Sequence, residues 1–167
     1  MLAIPLVIFA AATSCSLPAG EALLQRSLAY EPFDSRGPPY GWRELNAAGC
    51  TDSALALLTG YQATNAQQLS NAQNLELSFH AGQTLAFAGR DVEALPYFES
   101  SSNAEAPDEW RWYVAATVAF LHRDPAALAA ARDAYARIAP GSMRLRVIEG
   151  FIACAEAPYA KAAHCRM

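Results

Sequence analysis

The chain has 167 residues, of which 53% are hydrophobic and 17% are charged. Its 37 alanines outnumber the 16 valine, isoleucine and threonine residues together. This balance favours helices, because alanine loses no side-chain entropy in a helix whereas β-branched residues do. The composition excludes a disordered chain, a collagen and a disulfide-dense miniprotein. With a net charge of −4 and Arg144-Leu145-Arg146 as its densest basic stretch, the chain also lacks the basic clusters by which proteins bind nucleic acids.

An export signal is predicted for residues 1–15. The first 20 residues carry no charged side chain, and Leu2 to Ala12 form a continuous apolar run. This run is shorter than a membrane span of ~20 residues but matches the hydrophobic core of a signal peptide. A general signal peptidase would cut after Ala12 or Ser14. Alternatively, Cys15 would be lipidated, because residues 12–15 resemble a bacterial lipobox with alanine in place of the usual leucine. A buried N-terminal helix is the other interpretation.

Residues 16–40 are predicted to be a linker between the export signal and one folded domain of residues 41–167. They show no clear apolar period, and the segment from Glu31 to Pro39 contains three prolines and one glycine, residues that break regular structure. A short helix between Glu21 and Tyr30 is the most that we expect here. If Cys15 is lipidated, this segment would tether the domain to the membrane.

From residue 41 onward, helical runs alternate with short breakers. Gly49 and Gly89 each follow a run and suit the left-handed conformation that closes a helix. The run 71–88 has apolar residues on two faces, which predicts a helix packed between neighbours. Pro96 predicts a kink in the next helix or a late start. Three further helices are expected over 42–48, 126–138 and 143–155. Three more are expected to start at Thr51, Asp91 and Asp108, and a short last one to follow Pro158.

Internal repetition suggests how these helices stack. Gly82, Gly89, Ala94 and Phe98 resemble a tetratricopeptide repeat, with a small residue where two helices touch and an aromatic residue further along the second helix. The resemblance covers residues 40–140 and is strongest over 75–107. It implies an all-α fold of stacked antiparallel hairpins, with about three degenerate tetratricopeptide-like units and a C-terminal helical cap.

A looser likeness concerns the whole domain. The chain looks like a group of small exported bacterial proteins without assigned function, which implies a periplasmic helical-repeat protein and supplies no activity. The segments that carry this likeness are Trp42-x-x-Leu45-Asn46-x-x-Gly49-Cys50, His80-x-Gly82-Gln83, residues 112–117, and Pro158-Tyr159 with Cys154 and Cys165.

The cysteines predict a disulfide if the chain is exported, because disulfides persist in oxidising compartments. Cys154 and Cys165 flank Pro158 in a helix–turn–helix pattern, and their pairing is the first choice. It leaves Cys50 as a buried thiol, while Cys50–Cys165 is the alternative. No metal site is predicted, because the chain has no C-x-x-C motif and His164 beside Cys165 lacks further ligands.

Few residues suggest a binding site. His80 and Gln83 lie one helical turn apart and could face a groove together; alternatively, both are hydrogen-bonded across a helix interface. Trp112 either lines such a groove or packs on a neighbouring repeat, whereas Trp110 and Tyr113 fall on the periodic core face. Four aspartates are assigned to helix starts as caps, namely Asp52, Asp91, Asp108 and Asp124.

The sequence predicts a non-catalytic module of the bacterial envelope that binds a protein or peptide through a concave face. The nucleophile, nucleotide and zinc-protease motifs of common enzyme families are missing from the sequence. We expect an exported monomer, periplasmic or anchored only through Cys15, with no cofactor. The alternatives are a small groove-based enzyme that uses His80 and carboxylates, and a purely structural envelope lipoprotein.

Overall fold

A computed structural model describes residues 15–18, 20–35 and 41–165. Within these ranges the chain forms ten α-helices and no strand, which confirms the all-α prediction. The helices are α1 (Glu21–Arg26), α2 (Tyr30–Asp34), α3 (Trp42–Ala47), α4 (Thr51–Thr64), α5 (Asn71–Phe87), α6 (Asp91–Ser100), α7 (Asp108–Leu121), α8 (Pro125–Ile138), α9 (Met143–Ala153) and α10 (Tyr159–Ala162).

Local capping sets several helix boundaries. Ser70 accepts a hydrogen bond from the Gln73 backbone, and the Gln73 side chain accepts one from the Ser70 backbone, so that a capping box opens α5. Gly89 has a φ of 74° and follows α5 in the conformation that favours glycine at a helix end. Asp124 caps α8 as predicted, by accepting from the Ala127 backbone.

Three of the four predicted aspartate caps are wrong in detail. None of Asp52, Asp91 and Asp108 is an N-cap residue; each lies in the first turn of its helix. The residues at the N-cap positions of these helices make no side-chain capping hydrogen bond. Their negative charges still interact favourably with the positive end of the helix dipole. The helix that contains Pro96 begins at Asp91, so it does not start late.

Consecutive helices pack as hairpins, and α5 lies between them. The most extensive contacts are those of α5 with α6 and of α7 with α8, followed by those of α4 with α5 and of α3 with α4, while α9 packs on α7 and α8. α5 supplies Phe79 and Ala86 to one hydrophobic cluster and Leu77 and Ala81 to the other. This burial on opposite faces confirms the prediction of a helix between neighbours.

Residues 20–35 differ from the expected linker, because they fold onto α4. Gln25 and Phe33 are each only 1% exposed, and the Phe33 ring stacks on Tyr61 with a centroid distance of 3.7 Å. The Tyr61 hydroxyl donates to the Leu28 carbonyl, and the Asn65 amide donates to that of Arg26. The breaker residues around Pro32 misled the sequence argument, since a five-residue helix can begin at Tyr30 and hold a proline in its first turn. The predicted signal segment before Cys15 lies outside the described residues.

Two disulfides join the four cysteines. Cys154 pairs with Cys165 as predicted, across 11 residues, and Cys15 pairs with Cys50 across 35 residues. Cys50 is therefore not the free buried thiol that we expected. The disulfide also bears on the predicted lipidation of Cys15, because a lipid would attach at the sulfur atom that forms this bond.

Gly82→Leu should lower the free energy of unfolding by ~1–3 kcal/mol, through overpacking. Even a Cβ atom at residue 82 would lie 3.0 Å from two atoms of the Phe98 ring. Ala130→Leu, at an exposed position of α8, is the control and should change stability by less than about 0.5 kcal/mol. Urea denaturation compares the two. An unchanged midpoint for Gly82→Leu would refute the tight contact between α5 and α6.

Tryptic mapping of the non-reduced protein should recover two cross-linked peptide pairs, one joining Cys15 to Cys50 and one joining Cys154 to Cys165. Cleavage sites at Arg26 and Lys161 separate the partners of each pair, so that mass spectrometry identifies both bonds. Free Cys154 and Cys165 thiols, or a lipid on Cys15 beside a free Cys50, would contradict this connectivity.

Candidate functional site

Three adjoining cavities follow one side of α5 and together form a groove, here called the α5 groove. Their volumes are about 200, 150 and 320 Å³. The first two share Glu76, Trp110 and Arg144 in their linings, and the second and third share Gln83. α5 contributes lining residues from Ala72 to Phe87, which corresponds to a length of about 22 Å at ~1.5 Å per residue.

One wall of the groove, formed by α7 and α9, combines aromatic rings with charges of both signs. The Arg144 guanidinium lies 5.1 Å from the Trp110 ring centroid and 5.5 Å from that of Tyr113. Its Nη1 atom is 3.3 Å from Glu109 Oε1. The Trp110 indole donates a hydrogen bond to the Ser101 carbonyl at 2.6 Å. This bond fixes the orientation of the ring in the groove wall.

The middle of the groove floor meets α2 at His80. The Nε2 atom of His80 lies 3.4 Å from Asp34 Oδ1 and 3.9 Å from Glu76 Oε1, one turn back along α5. The ring packs on Trp42 at a centroid distance of 4.9 Å, and the side chain is only 12% exposed. We call Asp34, Glu76 and His80 the His80 cluster. Each offers an atom that could ligate a metal ion, and the three atoms lie within 4.8 Å of one another.

The two carboxylates of the His80 cluster are held from outside by neighbouring side chains. Arg43 Nη2 donates to Asp34 Oδ2 at 2.9 Å, and Arg43 Nε donates to the Asp34 carbonyl at 2.5 Å. The guanidinium lies 4.1 Å from the centroid of the Trp42 ring. The Tyr30 hydroxyl donates to Glu76 Oε2 at 2.8 Å. Each carboxylate therefore has a fixed orientation.

Burial dominates the electrostatics of the cluster. It lowers the pKa of His80 below its ordinary value, because removal of water disfavours the imidazolium more than the Asp34 carboxylate favours it. The Arg43 guanidinium lowers this pKa further. Burial and the hydrogen bond to Glu76 raise the pKa of Tyr30 well above its ordinary value. At neutral pH the cluster therefore combines a neutral imidazole with a protonated phenol.

The structure brings two of the three predicted groove residues together. His80 Nδ1 donates to Gln83 Oε1 at 3.2 Å, and both side chains line the groove. Gln83 Nε2 also donates to the Tyr159 hydroxyl of α10 at 3.4 Å, so the interface and groove interpretations both apply. Trp112 lies apart and lines none of the three cavities. Its neighbour Trp110 does line the groove, because two residues correspond to a rotation of about 200° around a helix.

Sequence reasoning missed the residues that complete the site. Tyr30 and Asp34 belong to the segment assigned to a linker, and Arg43 was one of several polar residues in a short helix. The spacing of Tyr30 and Asp34 by four residues on one helix was the one available signal. Tyr30 contacts Glu76 and Asp34 contacts His80, each 46 residues away on α5, beyond the reach of any local pattern.

Comparison of the chain with models of protein families, with curated proteins and with solved structures yields no match. The resemblances to tetratricopeptide repeats and to small exported bacterial proteins therefore stay predictions. In the described residues, no helix combines the length and the hydrophobicity needed to cross a bilayer.

Proposed function

We propose that this protein is a non-catalytic binding module that holds an extended segment of a protein or peptide partner in the α5 groove. The continuity of the groove carries the proposal, because neighbouring cavities share lining residues along α5. At ~3.3 Å per residue, a groove of about 22 Å accommodates six or seven residues of an extended chain.

The lining of the groove supports a peptide ligand. Trp110 and Phe87 offer apolar surface, and Arg144 with Glu109 offers charges of both signs at the rim. Partly exposed aromatic and arginine side chains are enriched among residues that dominate protein interfaces. Stacked helical hairpins commonly present such surfaces to partners.

A small enzyme that uses His80 is the second candidate, favoured by the convergence of His80 and Gln83 with two carboxylates. The cavity lined by His80, Gln83 and Glu76 measures about 150 Å³, below the ~300–1,000 Å³ of pockets that enclose small molecules. The site is thus shaped more as part of an extended groove than as a deep reaction chamber. A purely structural envelope protein is the third candidate and would leave the groove without a ligand.

We also propose that the protein works in the bacterial envelope, most simply in the periplasm. The two disulfides indicate an oxidising compartment. The disulfide at Cys15 supports processing by a general signal peptidase over lipidation at this residue, since the two modifications compete for one sulfur atom.

The groove is tested by selecting heptapeptides from a displayed random library on the oxidised protein and measuring their affinity by fluorescence polarisation. Arg144→Ala should weaken binding at least fivefold, because it removes the cation that covers Trp110 and Tyr113. Arg146→Ala, at an exposed position of the same helix, is the matched control and should leave the affinity unchanged.

Two results would count against this function. If no peptide is enriched, the groove is not a peptide site. If enriched peptides bind equally to Arg144→Ala and to wild-type protein, and a Gln83→Trp variant that fills the groove also binds them, they bind at another surface.

A further inference from the structure

We infer that Asp34, Glu76 and His80 form a binding site for one divalent transition-metal ion, with zinc as the best fit. The site would use one imidazole nitrogen and two carboxylate oxygens. It lies where α2 meets α5, and it does not depend on the proposed binding of a peptide.

The three inner atoms converge. Asp34 Oδ1 and Glu76 Oε1 lie 3.4 and 3.9 Å from His80 Nε2, and no two of the three atoms are more than 4.8 Å apart. Ligands at ~2.0–2.2 Å from a zinc ion are separated by about 3–3.5 Å. Small side-chain movements would therefore bring all three atoms to bonding distance of one ion.

The outer atoms of the same side chains are already occupied. Arg43 Nη2 donates to Asp34 Oδ2, and the Tyr30 hydroxyl donates to Glu76 Oε2. His80 Nδ1 donates to Gln83 Oε1, which in a neutral imidazole leaves the lone pair on Nε2. Metal ligands in proteins are typically oriented in this way, by a hydrogen bond to the atom that faces away from the metal.

A second observation comes from Asp34 Oδ1, a buried oxygen atom that has no hydrogen-bond partner. Leaving a buried charged oxygen without a hydrogen bond costs free energy, and native proteins rarely do so. The atom points toward His80 Nε2, where a cation would coordinate both.

Arg43 does not block this site. Its guanidinium bonds to the backbone carbonyl and the outer carboxylate oxygen of Asp34 and lies over the Trp42 ring, so it stands behind the carboxylate. Its Nη2 atom also donates a long hydrogen bond to His80 Nε2, at 3.4 Å, and an ion bound to Nε2 would replace this hydrogen bond. The two carboxylates and the Arg43 guanidinium sum to a charge of −1, which still attracts a cation.

The donor set indicates the class of metal. Imidazole suits zinc and its transition-metal neighbours, whereas calcium and magnesium prefer oxygen ligands alone. Three protein ligands leave at least one coordination position for water or another group. Because Asp34 comes from α2 and the other two ligands come from α5, the ion would also fasten the N-terminal segment to the central helix.

Isothermal titration calorimetry of the chelator-treated, oxidised protein tests the site with zinc chloride, and with calcium and magnesium chloride as comparisons. We expect one zinc ion per chain and no detectable heat of binding for calcium or magnesium at the same concentrations. His80→Gln and Glu76→Gln should each weaken zinc binding at least tenfold. Loss of a residue that only hydrogen-bonds to a metal ligand already lowers affinity by roughly 10–100-fold, and these two residues would be ligands themselves.

His122→Gln is the matched control, because His122 Nε2 also lies beside a carboxylate, 3.8 Å from Glu99 Oε1, but on an exposed surface. It should bind zinc as the wild-type protein does. Circular dichroism without metal shows which variants fold. If His80→Gln does not fold, the zinc affinity of Glu76→Gln tests the site, since a side chain that is 41% exposed can be replaced with less effect on folding. Absence of zinc binding, or equal binding by the wild-type protein and a folded cluster variant, would overturn the inference.

Discussion

The architecture depends on the burial of α5 on two opposite faces. A helix with one apolar stripe can cover a single neighbour, but Phe79 and Ala86 pack into one hydrophobic cluster while Leu77 and Ala81 pack into the other. The remaining edge of α5 carries Glu76, His80 and Gln83, at a helical spacing of four and three residues. Glu76, His80 and Gln83 form the polar floor of the groove, along an edge of α5 that neither hydrophobic cluster covers.

That placement has an electrostatic consequence. A polar stripe between two cores is itself partly buried, so its groups need partners from neighbouring elements. α2 and α3 supply these partners on one side, through Tyr30, Asp34 and Arg43, and α10 supplies one at its end, where Gln83 meets the Tyr159 hydroxyl. The low pKa of His80 has the same origin, because desolvation outweighs the nearby carboxylate.

Local patterns predicted local features of this molecule and failed where distant segments meet. Helical periods and glycine breakers were sufficient for most helices from α3 to α9, and the Cys154–Cys165 pair follows from 11 residues around one turn. The Cys15–Cys50 pair and the contact of Asp34 with His80 join segments 35 and 46 residues apart, and no periodicity reports such contacts. The prediction of Trp112 rather than Trp110 as a groove residue failed for another reason. Trp110 lies on the core face of α7, but at the end of the core, where its side chain lines the groove.

The two disulfides constrain the segments that supply partners to the polar stripe. Tyr30, Asp34 and Arg43 all lie within the 35-residue loop closed by Cys15 and Cys50, and Tyr159 lies within the 11-residue loop closed by Cys154 and Cys165. In the chain-entropy model, such loops stabilise the native state by about 4 and 3 kcal/mol respectively. The first contribution matters most for α2, whose five residues cannot form a stable helix alone and depend on Phe33 for their place on α4. Oxidation thus acts on the same segment that brings Asp34 to His80, so the compartment in which the protein folds and the geometry of its candidate site are physically linked.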